Sequence, residues 1–179
     1  ILSVKRLLSS LSLNQKYILE FGDFRAYGAS NVIPEQAEIQ GTLRTLSEDF
    51  REKAHKLLLQ ESINIEGKYS IECIFDIKKG YPTLYNNPLL TENCKTLSKS
   101  FLTIDAVKDL DVRMSSEDFS YFSQECPSCF FRLGVGNSKR NITHLVHTPY
   151  FNIDEKSIGV GMGLMSYLAI ANLLSPKRT

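Results

Sequence analysis

The sequence predicts a mixed α/β (α+β) fold in two domains, and three features of the chain support this prediction. Apolar residues recur at helical spacing over residues 1–13. Apolar and polar residues alternate most regularly over residues 69–78, as they do in a half-buried strand. Two groups of turn-forming residues, at 80–82 and 86–88, then interrupt the pattern and indicate a domain boundary.

The first domain, residues 1–79, is predicted to contain a helix, two strands, a second helix and a third strand. The strands are expected at residues 17–24, 38–44 and 69–78. Ser47 is predicted to cap the second helix, since its hydroxyl can accept a hydrogen bond from the first turn. One more strand in front would complete a split β-α-β pattern of the ferredoxin-like kind, with two helices on one side of an antiparallel sheet.

The second domain, residues 80–179, is predicted to alternate helices with strands. Helices are expected at residues 89–101, 116–124 and 158–174, and strands at residues 106–112 and 129–133. The last of these strands runs into Gly134 and Gly136, which indicates a tight loop at its end. Loops at strand ends are where α/β enzymes build their sites.

The composition favours neither nucleic acid nor a membrane as a partner. The net charge is +1, and the basic residues are scattered among acidic ones. The last helix is long enough to span a bilayer, but Ser166, Tyr167 and Asn172 interrupt its apolar run. We therefore expect a soluble globular protein.

The four cysteines favour a reducing compartment, and we expect a cytoplasmic protein with free thiols. Four cysteines in 179 residues are too sparse for a disulfide framework. Cys126 and Cys129 have the spacing of a redox or zinc pair, but the sequence has no second pair and no histidine at zinc-finger spacing. A structural or accidental pair is therefore preferred to a functional one.

Five short motifs carry a family resemblance, and together they cover nearly the whole chain. They are Asn31-Val32-Ile33-Pro34, Gly41-Thr42-Leu43-Arg44-Thr45, Ser116-Glu117-Asp118-Phe119, Phe131-Arg132-Leu133-Gly134-Val135-Gly136, and His147-Thr148-Pro149 with Phe151 and Asp154-Glu155. In order and spacing they resemble the zinc-dependent aminoacylase/carboxypeptidase-type metallopeptidases. The amidohydrolase branch is the most similar, with its hippurate hydrolases, indole-acetyl-amino-acid hydrolases and N-acetyl-diaminopimelate deacetylases.

The resemblance implies a fragment of a two-domain enzyme. Residues 1–79 would be most of a ferredoxin-like lid that also forms a homodimer interface, with its first strand missing. Residues 80–179 would be the C-terminal half of an α/β catalytic domain that binds two zinc ions, with manganese or cobalt as alternatives. The general base and most metal ligands are expected upstream, so the fragment alone is expected to be inactive.

The resemblance also assigns roles to single residues. His147 matches a metal ligand, although a loop histidine hydrogen-bonded to backbone is the alternative from the residues alone. Asn31 and Arg44 match lid residues that bind the substrate's carboxylate and amide oxygen, whereas a turn former and a solvent-facing strand charge are their alternatives.

Two further pairs complete the predicted site. Gly134 and Gly136 are expected to let the backbone approach the substrate. Glu117 and Asp118 are expected to lie at a helix start near the site, where they would support it without acting as catalytic acids.

The implied function is metal-assisted hydrolysis of the amide bond of N-acyl amino acids or small peptides. A dipeptidase or tripeptidase with the same site is a second candidate. The alternative from another functional class is a non-catalytic dimerising module derived from the same fold, which the ligands absent from this sequence favour.

Overall fold

The computed structural model of the protein describes residues 1–11 and 15–174, in which it contains five α-helices and one two-stranded sheet. The helices are α1 (Leu2–Leu11), α2 (Glu48–Tyr69), α3 (Pro88–Phe101), α4 (Ser120–Glu125) and α5 (Lys156–Leu174). The strands are β1 (Tyr17–Arg25) and β2 (Glu38–Thr45), and short 3₁₀ helices lie at Ile104–Ala106 and Ser138–Arg140. This mixture of elements confirms the predicted α/β class.

The chain divides into two compact units. The first unit consists of Ile1–Leu84 and Val112–Tyr121, and the second consists of Tyr85–Asp111 and Phe122–Thr179. The boundary predicted between residues 79 and 80 lies a few residues before the change of unit at Leu84. The sequence pattern did not indicate that Val112–Tyr121 joins the first unit. The division into a lid and a catalytic half stays a prediction.

The core of the first unit lies between the two helices and one face of the hairpin. Its buried residues come from α1, β1 and α2, namely Val4, Leu8, Leu19, Phe50, Ala54 and Leu58. The rings of Tyr17 and Phe50 lie 5.4 Å apart at the edge of this cluster. Both helices therefore cover the same side of the sheet, as the predicted split β-α-β arrangement requires.

The hairpin of β1 and β2 is antiparallel and has one glycine that its packing requires. Phe21 lies opposite Gly41, and the register shifts between Phe21 and Asp23. A Cβ atom on Gly41 would lie 2.6 Å from the carbonyl oxygen of Glu20 and 2.7 Å from the Phe21 ring. A side chain does not fit there without displacing β1.

An ion pair at the start of α2 holds the segment that follows the helix. Ser47 caps α2 as predicted, because its hydroxyl accepts a hydrogen bond from Phe50 N at 3.2 Å. The Glu48 carboxylate accepts from the N–H and hydroxyl of Thr83, at 2.7 and 2.9 Å. Arg51 pairs with Glu48 and donates to the Tyr81 carbonyl at 2.7 Å.

This arrangement changes the acidity of Glu48. Burial by itself would raise the pKa of its carboxyl, but the hydrogen bonds from Thr83 and the charge of Arg51 outweigh burial and lower the pKa. The ionised form of Glu48 is therefore the one that the folded first unit stabilises.

The structure corrects three predicted strands. Helix α2 continues through Tyr69, and no strand forms over residues 71–87, 106–112 or 129–133. A strand needs backbone partners on a neighbouring segment, and the described part of the chain places no strand beside any of the three. The strand that the alternating pattern at residues 69–78 predicted therefore does not form in this structure.

The second unit is built on the pairing of α3 with α5. Asn87 caps α3 by accepting from Leu90 N at 3.0 Å. The ring of Phe101 stacks on Tyr167 with centroids 5.2 Å apart, and the Asn93 amide donates to Asn172 Oδ1 at 2.9 Å. These contacts run along most of α3.

Helix α5 is long and apolar enough to cross a membrane, judged by length and composition alone. Only 17% of its apolar window is buried in the structure. One such helix is a weak indication, because the core helix of a soluble protein has the same composition.

Candidate functional site

Arg44 lies at an exposed position on β2, as predicted, and it contacts a distant segment of the first unit. Its guanidinium donates a hydrogen bond to the carbonyl oxygen of Met114 at 2.8 Å. Met114 directly precedes the Ser115-Ser116-Glu117-Asp118 motif. The first unit therefore brings the predicted substrate-binding arginine to the start of the acidic motif.

The acidic motif lies before α4 instead of inside it. The predicted helix over residues 116–124 begins at Ser120 in the structure. The backbone carbonyls of Glu117 and Asp118 accept from Ser120 N and Tyr121 N, both at 3.1 Å. These two acidic residues thus form the turn that leads into α4, which agrees with a structural role near the site.

Asn31 lies in a turn of the loop between β1 and β2, and its side chain is exposed. Val32 N donates to the Ala29 carbonyl at 3.0 Å and closes this turn. In the described residues no hydrogen bond joins Asn31 to Arg44. The structure therefore places the two predicted substrate-binding residues in one unit without joining them.

His147 lies on an exposed turn of the second unit with an unusual backbone conformation. Its φ of 66° is in the left-handed region, which costs a residue other than glycine on the order of 1–3 kcal/mol. Two hydrogen bonds hold the turn on either side, from Thr148 Oγ1 to the Leu145 carbonyl at 2.9 Å and from Phe151 N to the Thr148 carbonyl at 3.1 Å. Such strain is often found at ligand sites.

Asp154 connects the glycine loop to the start of α5. Its N–H donates to the Val135 carbonyl at 2.8 Å, and its carboxylate accepts from the Lys156 N–H at 3.3 Å. The carboxylate also accepts from the side chains of Asn137 and Arg140, the latter at 3.0 Å. Asp154 thus fixes the backbone between Gly134 and Gly136.

The surroundings of Asp154 also stabilise its charge. The hydrogen bond from the Asn137 amide has the largest effect, followed by the Lys156 N–H, and both lower the pKa of the carboxyl. The nearby Arg140 guanidinium acts in the same direction.

The two predicted glycines differ in the space around them. Within the described part of the chain, a Cβ atom on Gly134 would have no atom within 4 Å apart from those of its two chain neighbours, whereas one on Gly136 would lie 3.3 Å from the Ile142 carbonyl oxygen. Neither glycine has a positive φ. The backbone at Gly134 is therefore open to a ligand.

The predicted site residues fall into two sets. Asn31, Arg44, Glu117 and Asp118 belong to the first unit, and Gly134, Gly136 and His147 belong to the second. Among residues 1–11 and 15–174, one hydrogen bond from a predicted binding side chain joins parts of the first set, from Arg44 to Met114, which lies shortly before Glu117.

The described residues do not form a complete metal site. Within them there is no group of three or more His, Cys, Asp or Glu side chains that could hold a metal ion. His147 supplies a nitrogen donor of the kind that zinc prefers, but one donor does not make a catalytic site. A metal site at His147 would therefore need donors from outside the described residues.

The structure brings together two cysteines that are distant in sequence, Cys94 and Cys129. All four thiols are free, and the Cys126 sulfur lies 3.6 Å from the Ser128 hydroxyl. The thiol of Cys94 lies beside that of Cys129. Burial raises the pKa of Cys94 most, and the neighbouring Cys129 thiol raises it further. A raised pKa disfavours the reactive thiolate, in agreement with a structural role.

The sequence analysis missed two residues that position the candidate site. Asn137 and Arg140 hold the Asp154 carboxylate, and they follow directly after the glycine loop. An asparagine after Gly136 is a weak signal of such a contact, because asparagine is common in every turn.

Curated relatives of the chain include peptidases and amidohydrolases. It is 31% identical over 157 residues to thermostable carboxypeptidase 1 of Saccharolobus solfataricus, covering 87% of this chain and 39% of the relative. It is 28% identical over 165 residues to IAA-amino acid hydrolase ILR1-like 4 of Arabidopsis thaliana, covering 89% and 37%. The chain thus spans about two-fifths of the length of these relatives.

Two solved structures resemble the fold. One is from methicillin-resistant Staphylococcus aureus, solved as a candidate aminohydrolase, with a TM-score of 0.73 and 29% identity over 94% of this chain and 42% of that one. The other is the Bacillus subtilis YXEP protein, a dinuclear metal-binding peptidase, with a TM-score of 0.70 and 22% identity over 96% and 46%. The second likeness shows the fold alone.

The family is shown by the extent of the match along the sequence. The pattern of peptidase family M20/M25/M40 matches residues 11–171, which include all seven predicted site residues. All five motifs lie within the matched residues. The chain belongs to peptidase family M20/M25/M40.

Proposed function

We propose that the whole protein hydrolyses the amide bond of N-acyl amino acids or small peptides and that it requires a bound divalent metal, zinc being the proposed ion. The observation that supports this proposal best is the exposure of Arg44 on β2 and its lack of an acidic partner within the described residues. A guanidinium without an acidic partner suits a substrate carboxylate, which it can bind through two parallel hydrogen bonds.

The hydrogen bond to Met114 supports the same role. It uses one of the N–H donors of Arg44 and restricts the side chain. An arginine that is already oriented loses less conformational entropy when it binds a ligand. The remaining donors are then available to a carboxylate at the exposed face of β2.

The names of the relatives agree with recognition of a carboxylate. One relative is named a carboxypeptidase and the other an IAA-amino acid hydrolase, and an amino acid carries a carboxylate of the kind that Arg44 would bind. In the proposal Arg44 binds this group and Asn31 donates to the amide oxygen, both within the first unit. His147 is the proposed metal ligand of this chain.

A second candidate is a non-catalytic module of the same fold. The observation that favours it is that the described residues contain no group of three or more His, Cys, Asp or Glu side chains that could hold a metal ion. In this case Arg44 would be a surface charge. The two candidates differ in one measurable property, which is turnover by the whole protein.

The test is the release of free amino acid from a panel of acetyl, benzoyl and indole-acetyl conjugates and dipeptides. The whole protein is assayed with added zinc, after chelation, and after zinc, manganese or cobalt is restored. We expect turnover that chelation abolishes and metal restores, and no turnover by this chain alone. Absence of turnover across the metal-loaded panel would contradict the hydrolase proposal and favour the module.

A further inference from the structure

Cys94 lies where three segments of the second unit meet. It belongs to α3, and its thiol lies beside that of Cys129, in the segment between α4 and the glycine loop. From α5, the Asn172 amide donates to the Cys94 sulfur at 3.9 Å and to the Leu168 carbonyl at 2.8 Å. Two cysteines that are distant in sequence are therefore brought together inside one unit.

Hydrogen bonds hold the backbone around Cys129 against the start of α3, independently of the two thiols. Asn87 N donates to the Ser128 carbonyl at 2.8 Å. The Asn86 side chain donates to the Phe130 carbonyl at 2.8 Å and accepts from the Phe130 N–H at 2.7 Å. The residues on both sides of Cys129 are thus fixed, so its side chain has a defined place beside α3.

The other two cysteines have different surroundings. Cys126 is exposed, and its sulfur lies 3.6 Å from both the Phe122 carbonyl and the Ser128 hydroxyl. Cys73 belongs to the first unit. The contact between thiols that the fold creates is therefore the one between α3 and Cys129, although Cys126 is the nearer cysteine in sequence.

We propose that Cys94 and Cys129 form a reversible disulfide bond when the protein is exposed to a peroxide oxidant. Hydrogen peroxide transfers one oxygen atom to one thiol, giving a sulfenic acid and water as the O–O bond breaks. The second sulfur then attacks the sulfenic sulfur, forming the S–S bond and releasing the oxygen as a second water. The two thiols lose two hydrogen atoms, and one peroxide is reduced to two waters.

The disulfide stabilises the second unit. It closes a loop of about 35 residues between α3 and the glycine loop, and such a closure reduces the conformational freedom of the unfolded chain. Burial, followed by the neighbouring Cys129 thiol, raises the pKa of Cys94, which disfavours its reactive thiolate. The pair therefore stays reduced until an oxidant is supplied.

Trypsin separates the possible products of oxidation. It cuts after lysine and arginine, so Cys94 lies in the peptide 80–95, whereas Cys126 and Cys129 share the peptide 114–132. A bond from Cys94 to either of them joins two peptides, and a bond between Cys126 and Cys129 stays within one. Mass spectrometry of the peroxide-treated whole protein, alkylated and digested without reductant, distinguishes these products.

We expect the two peptides to be joined in the native whole protein and separated again by dithiothreitol. Fragmentation should locate the bond at Cys129, with at least about tenfold less of the product joined at Cys126. Cys126→Ser should retain the link and Cys129→Ser should lose it. Oxidised Cys126→Ser should unfold at least about 4 °C above its reduced form.

Four results would overturn the proposal. They are an absence of the link, a bond confined to the peptide 114–132, a link that Cys126→Ser abolishes, and a link found only between two copies of the protein on a non-reducing gel. Equal unfolding temperatures of the oxidised and reduced Cys126→Ser protein would overturn the stabilising effect of the bond.

Discussion

The guanidinium of Arg44 lies 2.8 Å from the carbonyl oxygen of Met114, 70 residues further along the chain. This hydrogen bond connects β2 to the segment that carries Glu117 and Asp118, within one unit of the structure. It gives the exposed arginine a defined orientation, and this orientation is the physical basis of the proposed carboxylate recognition.

Gly41→Ala should destabilise the first unit. The new Cβ atom would lie 2.6 Å from the Glu20 carbonyl oxygen, so the hairpin would have to move, at a cost of about 1–3 kcal/mol. Urea unfolding monitored by tyrosine fluorescence measures the change. Gly22→Ala is the matched control on β1, where a Cβ atom has no neighbour within 4 Å, and a similar loss for both variants would contradict the explanation.

The stability of the first unit should depend on pH through Glu48. The folded state lowers its pKa below the ordinary value of 4.5, so this contribution to stability is fully present above about pH 4.5 and is lost as the pH falls through the lower folded pKa. Unfolding midpoints between about pH 3 and 7 measure the effect. Glu48→Gln should flatten this dependence, whereas Asp49→Asn, on the next residue, should leave it in place.

Asp154→Asn should loosen the glycine loop and the first turn of α5. The variant removes the negative charge that pairs with Arg140 and accepts from Asn137. Hydrogen exchange should become faster at the amide of Lys156, which donates to the Asp154 carboxylate, and at that of Ser157, which donates to the Asp154 backbone carbonyl in the same turn. Glu155→Gln removes the charge of the adjacent exposed residue and should leave the exchange rates of both amides unchanged. Unchanged exchange rates in the Asp154 variant would show that the carboxylate does not hold the loop.

The helices could be predicted from the sequence because their signals are local. Ser47 and Asn87 cap α2 and α3, and Pro88 starts α3 at a position where its missing N–H has no cost. A helix satisfies its backbone within itself, so residues a few positions apart contain most of the information.

The three strands were predicted wrongly because the formation of a strand depends on a segment that is not local in sequence. The apolar faces at residues 69–78, 106–112 and 129–133 are real sequence features, but a strand satisfies its backbone on another segment. Alternation cannot identify that segment. The two strands that did form lie 12 residues apart and pair with each other.

Only part of the candidate site could be predicted, because some of its features are local in sequence and others depend on distant segments. The exposed position of Arg44 follows from its place on a strand, whereas its contact with Met114 joins residues distant in sequence. The left-handed φ of His147 has no sequence signal, because glycine or asparagine is the residue expected in that region. The roles of both residues rest on the family resemblance and stay proposals.

The most direct test of the proposed function compares an N-acetyl amino acid with the same compound whose carboxylate is replaced by a carboxamide. The kcat/KM of the metal-loaded whole protein should be at least about tenfold higher for the acid than for the carboxamide, because a hydrogen bond to a charged group contributes roughly 1.5–3 kcal/mol. Arg44→Gln should reduce this preference to near unity, whereas Arg25→Gln, which removes the arginine paired with Asp23 on β1, should retain it. A preference that survives in Arg44→Gln would contradict carboxylate recognition by Arg44.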